Sequence, residues 1–96
     1  MPAADPNAVY TVAPGHRLQW EEAQQCWVVL YPEGMVRLND SAAEILRRCD
    51  GATPLSAVIA DLEQTFGAPD LADDVLELVT AASAEGWLSR VATAGG

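Results

Sequence analysis

The chain has 96 residues, half of them hydrophobic, with 14 acidic against 5 basic side chains and a net charge of −9. That is the size of one small domain with a modest core. There is no lysine, and residues 39–88 hold ten Asp or Glu against only Arg47 and Arg48, so nucleic acid and anionic membrane surfaces are disfavoured partners. No apolar run approaches the ~20 residues of a membrane span. The first fifteen residues, MPAADPNAVYTVAPG, lack both the basic residues and the apolar stretch of a secretory signal. A cytosolic protein is the expectation. Cys26 and Cys49 form no CxxC pair and His16 is the sole histidine, which reads as two free thiols and no metal site.

In chain order, residues 1–16 combine Pro2, Pro6, Pro14 and Gly15 with small side chains. They read as a flexible arm, ordered only where Val9-Tyr10-Thr11-Val12 touches something. Arg17-Leu18-Gln19-Trp20-Glu21 alternates polar and apolar, as a half-buried strand does. Glu22 to Gln25 is a turn. Cys26-Trp27-Val28-Val29-Leu30-Tyr31 is apolar on both faces, which makes it the central strand. Pro32-Glu33-Gly34 is a reversal, with Gly34 supplying positive φ. Met35 to Leu38 is then a third strand, too short to stand alone and placed at a sheet edge.

From residue 39 the period becomes helical. Ser41-Ala42-Ala43-Glu44 fits a capping box, and Ala42, Ile45, Leu46 and Cys49 share one face. Asp50-Gly51 ends this helix, with Gly51 in the left-handed position. Thr53 as N-cap and Pro54 at the first position start the second helix. Its core stripe is Leu55, Val58, Ile59, Leu62 and Phe66, and Gly67 stops it.

A third helix starts near Pro69 or Asp70, with a core stripe of Leu71, Val75, Leu78, Val79 and Ala82. Ala72 and Leu76 widen its apolar arc to about 160°, more than the ~100° that one packed face requires. Gly86 ends it, Trp87-Leu88 folds back on the core, and residues 89–96 read as a flexible tail. The expected fold is a small α+β, winged-helix-like domain: a three-stranded antiparallel sheet followed by three helices. The domain proper would span residues 17–88.

The usual marks of an enzyme are missing. The sequence has no GxGxxG, P-loop or HExxH, and its carboxylates fall on helix surfaces, where a solvated face is the ordinary reading.

Several segments together carry a resemblance. They are Arg17-Leu18-x-Trp20-Glu21, Val29-Leu30-Tyr31-Pro32-Glu33-Gly34, Leu38-Asn39-x-Ser41-Ala42-x-x-Ile45-Leu46 and Cys49-Asp50-Gly51. In this order and spacing they resemble the PqqD family of pyrroloquinoline quinone biosynthesis. The likeness runs from about residue 17 to residue 88, the later helical stripe included.

It implies a small non-catalytic peptide chaperone with no cofactor of its own. Such a protein binds the precursor peptide PqqA and presents it to PqqE, a radical S-adenosylmethionine enzyme that crosslinks a Glu and a Tyr of that peptide. Related domains hold the peptide as an added strand beside the third strand and against the third helix. Carried onto this chain, the peptide-binding residues are Met35, Val36, Arg37 and Leu38 on the strand and Leu71, Val75, Leu76 and Val79 on the helix. Trp20, Leu30 and Ile45 would belong to the core, Pro32 and Gly34 to the turn, and Asn39 and Ser41 to the cap. Arg37 could clamp a peptide carboxylate.

Val36→Pro would weaken binding provided that its N–H points outward. Leu76→Asp would weaken binding more than folding. Two other readings compete. One is a DNA-binding winged helix, which the acid on the helices opposes. The other is a dimerisation module, in which Trp20, Trp27, Tyr31 and the arm 1–16 would build a homodimer.

Overall fold

A computed structural model describes residues 4–91. Its elements run β1 (Val9–Val12), β2 (Arg17–Glu21), β3 (Cys26–Tyr31), β4 (Gly34–Arg37), α1 (Asp40–Arg48), β5 (Asp50–Pro54), α2 (Leu55–Phe66), α3 (Ala72–Ala84) and β6 (Leu88–Arg90).

The expected meander is present as an antiparallel sheet in the order β2-β3-β4. Trp20 faces Trp27 across β2–β3, and Val29 faces Val36 across β3–β4. Side chains alternate across the pleat, so Leu18, Val29, Val36 and Leu38 share the face that joins the core cluster. Val28, Leu30, Met35 and Arg37 share the opposite face. Val28 and Val29 are both fully buried, as a central strand requires. The turn at Pro32-Glu33 needs no left-handed residue: Gly34 has no positive φ, contrary to the sequence expectation, whereas Gln25 (φ 54°) does in the turn before it. Trp20 is 41% exposed and Leu30 half-buried, so neither belongs to the main core.

A second antiparallel sheet, in the order β5-β1-β6, was not expected. Within the expected arm of residues 1–16, Val9–Val12 is the segment that forms a strand, and the order extends further, to Ala4 and Ala8, while residues 1–3 lie outside the described residues. Ala4, Ala8 and Tyr10 are buried in the same core as the helices. Tyr10 pairs with Arg90 and Val12 with Leu88, while Val9 and Thr11 pair with Pro54 and Asp50 around an irregularity. The tail expected from residue 89 likewise begins in a strand, and residues 92–96 lie outside the described residues.

This sheet also explains how α2 starts. Its N-cap is Pro54, which has no side-chain cap. The orphan amides of Leu55 and Ser56 instead donate to the carbonyls of Ala8 (3.0 Å) and Pro6 (2.8 Å). The N-terminal segment therefore does the capping that a Ser or Thr side chain usually does. Thr53, expected as the cap, lies in β5, and its hydroxyl donates to Asp50 (3.1 Å).

The remaining helix ends follow local rules, with three corrections. Asn39, not Ser41, caps α1: the Ala42 N–H donates to its Oδ1 at 2.8 Å. Glu44 does not reach back to complete a capping box but accepts from Arg48 at 2.7 Å. Arg48 also donates to Asp61 (2.6 Å), tying α1 to α2. These two bonds raise its pKa further above the usual guanidinium value. Gly67 (φ 62°) closes α2. At the end of α3, Gly86 is left-handed, and the N–H groups of Gly86 and Trp87 donate to Ser83 and Ala82 carbonyls, a Schellman arrangement. The start of α3 is later than expected: Asp70 is left-handed (φ 61°), and the Leu71 N–H donates to Glu63 Oε2 at 3.0 Å.

Candidate peptide-binding site

Among the described residues, β4 is an edge strand whose only neighbour is β3. The direction of its free peptide groups follows from one bond: the Leu38 N–H donates to the Trp27 carbonyl at 2.9 Å. Peptide groups alternate along a strand, so Val36 also faces β3. The N–H and C=O of Met35 and Arg37 then point away from the sheet, giving two donors and two acceptors on the open edge. The condition attached to Val36→Pro therefore fails. That substitution would break the β3–β4 ladder, whereas proline at 37 removes an outward donor from a position where an edge strand tolerates it.

Side chains divide by face. Met35 is 40% exposed on the outer face. Arg37 lies beside it and donates from Nη1 to Gln24 Oε1 at 3.0 Å, so its guanidinium already has a neutral partner. Val36 is half-buried against the core and Leu38 is buried. The strand thus offers a guest mainly its backbone.

β4 runs through Leu38-Asn39 into α1, whose first turn faces the start of α3 across a cavity of about 430 Å³. Of the four expected helix residues, Leu71 and Val75 line this cavity. Leu76 is half-buried against the core cluster, so its replacement by Asp would strike folding as well as any guest. Val79 is fully buried and is a core residue, not a groove wall.

The cavity adds residues that sequence reasoning missed. Ile45, Leu62 and Phe66 supply apolar surface, and Asp40, Glu44 and Asp74 supply carboxylates. Phe66, expected in the core stripe, is 54% exposed. Its position at the last residue of α2, one before the stop at Gly67, was the available signal: a stripe that runs to the end of a helix can overrun the core beneath it.

The surroundings limit other chemistries. Asp73, Asp74 and Glu77 lie exposed on α3, the reverse of what a phosphate backbone needs. Among the described residues no helix is long and apolar enough to cross a membrane, and no cluster of three or more His, Cys, Asp or Glu is placed to hold a metal. The Cys49 thiol is pushed up to about 11 by burial and, secondarily, by Asp50, which makes it a poor nucleophile. Residues 9–12, part of the arm invoked for a homodimer, pair with β5 and β6. Trp20 packs edge-on against Trp27, over which the Arg47 guanidinium sits at 4.7 Å.

Comparison with known proteins bears on this geometry. The model of the family described as coenzyme PQQ synthesis protein D (PqqD) matches residues 26–88. The chain belongs to the PqqD family. A PqqA binding protein of Methylococcus capsulatus is 42% identical over 86 residues, covering 90% of this chain and 92% of that protein. PqqA binding protein 1 of Pseudomonas putida is 47% identical over 85 residues, covering 88% and 93%.

Among solved structures, the fold matches the solution structure of the PqqD truncation of Methylobacterium extorquens PqqCD, with a TM-score of 0.70 and 27% identity. The match covers 91% of this chain and all of that one, which is described as a functional, stand-alone recognition element for ribosomally synthesised and post-translationally modified peptides. The PqqD family model begins at β3, so it spans β4, α1 and α3, the elements that form the open edge and the cavity.

Proposed function

We propose that this chain is a non-catalytic peptide chaperone of pyrroloquinoline quinone biosynthesis. It binds the precursor peptide PqqA as a strand added to the outer edge of β4 and presents it to the radical S-adenosylmethionine enzyme PqqE. The observation that carries this reading is the free edge of β4, where the peptide groups of Met35 and Arg37 point outward. Strand addition takes affinity from such groups and specificity from neighbouring pockets. The cavity lined by Leu71 and Val75 supplies a pocket three and four residues beyond the strand, at Asp40 and Ser41. The names of the curated relatives support the PqqA-binding part of this reading, and the solved recognition element supports its peptide-recognition part.

An unstructured peptide loses conformational entropy when it is ordered on a strand edge. A micromolar complex, about −8 kcal/mol, is the expected strength. The test is calorimetric titration with PqqA, followed by the Glu–Tyr crosslinking reaction of PqqE with and without this chain. Saturable binding and faster crosslinking are expected. No heat at millimolar peptide, or crosslinking indifferent to the chain, would overturn the proposal.

A further inference from the structure

Adding a strand to β4 does not by itself use the cavity between α1 and α3. Its lining is largely apolar, with Ile45, Leu62, Leu71 and Val75 inside and the exposed Phe66 among the residues around it. It also carries Asp40, from the first turn of α1, and Asp74, from the first turn of α3. Both are exposed, and among the described residues neither makes an ion pair. Glu44 on the same wall differs, because Arg48 and Arg47 compensate it. Among the described residues no basic one lines the cavity.

The helix dipole favours an acidic residue in a first turn. It does not account for two helices bringing theirs to one apolar cavity beside an exposed phenylalanine. The two helix ends contribute roughly half a positive charge each, against full charges on both aspartates. The field at the cavity is therefore negative. A guest that buries an apolar side chain here gains by desolvating Phe66, and a carboxylate beside that side chain would be repelled. A lysine or arginine beside it would be attracted, and the net charge of −9 would steer a cationic segment toward the protein.

We infer that the cavity receives a large apolar side chain of the guest peptide, leucine-sized or aromatic, whose neighbour in the peptide is Lys or Arg, and that Asp40 and Asp74 select the cation. This rests on the peptide-binding reading above and adds the class of peptide: an amphipathic segment of positive charge.

Two probes test it, N-acetyl-Phe-Arg-amide and N-acetyl-Phe-Glu-amide, each titrated into nitrogen-15-labelled protein. The cationic probe shifts the amides of Ile45, Leu71 and Val75, and the anionic probe does so several-fold more weakly. The double variant Asp40→Asn/Asp74→Asn, with its melting curve recorded alongside, abolishes the difference. It also weakens PqqA binding by roughly 3- to 10-fold, less so at high salt. Equal responses to the two probes, no response at those amides, or unchanged PqqA affinity in the double variant overturns the inference. If PqqA fails to bind the wild type while the probes still discriminate, the proposed function falls and the cavity assignment stands.

Discussion

The two sheets of this molecule are built by opposite logic. In β2-β3-β4 each strand pairs with its neighbour in sequence through a turn of a few residues, and the sheet ends at an open edge. In β5-β1-β6 each pairing joins segments far apart in the chain, and the strands are three to five residues long. The first sheet leaves a surface unfinished. The second gathers the N-terminal segment, the α1–α2 link and the C-terminal strand into one core. The difference suggests a division of labour: the long-range sheet holds the fold, so the local one can keep a free edge for a guest.

The largest effect that could break this comparison is at Tyr10, buried at the centre of the second sheet. Tyr10→Ala should cost about 3 kcal/mol in chemical denaturation, because it empties packed volume in the core cluster. A dispensable arm would instead leave stability unchanged.

Next comes alkaline pH, read at Cys49, which precedes β5. Its folded value of about 11 lies above the unfolded value near 9. The stability linked to the neutral thiol is therefore fully present below pH 9 and lost as pH rises toward 11. The loss should approach about 2 kcal/mol. Denaturation at pH 8 and pH 10.5 checks it, and Cys49→Ala should flatten that slope.

Arg37→Pro sharpens the contrast from the other sheet. PqqA affinity should drop about ten-fold, the worth of one edge hydrogen bond, with the melting temperature nearly unchanged. Val36→Pro should do the reverse, lowering the melting temperature first. Equal behaviour of the two variants would contradict the assigned direction of the β4 peptide groups.

The smallest effect belongs to Asp50, an exposed residue whose carboxylate accepts from the Ala52 and Thr53 amides at 2.9 Å and is held below the usual value chiefly by them. Asp50→Ala should destabilise slightly above pH 3.8. The difference should fade as pH falls further, because the stabilisation is lost once the native carboxylate is protonated.

The contrast between the sheets also marks what could be read from sequence. The meander was legible because alternation in Arg17–Glu21, two apolar faces in Cys26–Tyr31 and a Pro-Glu-Gly reversal are local signals. β5 reads DGATP and β6 reads LSR, and neither carries a strand pattern. Their conformation is imposed by β1, and β1 itself, Val9-Tyr10-Thr11-Val12, was masked by proline on both sides. The main-chain cap on α2 was invisible for the same reason, since it depends on a segment some fifty residues upstream.

In the site, the edge at Met35–Arg37 and the cavity residues Leu71 and Val75 were legible as topology and helical phase. Leu38 and Val79 are buried, as is Val75 on the cavity wall; apolar patterning shows which residues are apolar, not how deep the core reaches. The direction of each peptide group and the exposure of Phe66 required coordinates.

The most direct test of the central claim is amide hydrogen exchange at β4 with and without saturating PqqA. In the free protein Val36 and Leu38 should be protected by β3, while Met35 and Arg37 exchange freely. Binding should slow Met35 and Arg37 and leave Val36 and Leu38 little changed. Free exchange at Met35 and Arg37 in the saturated complex would contradict strand addition at this edge.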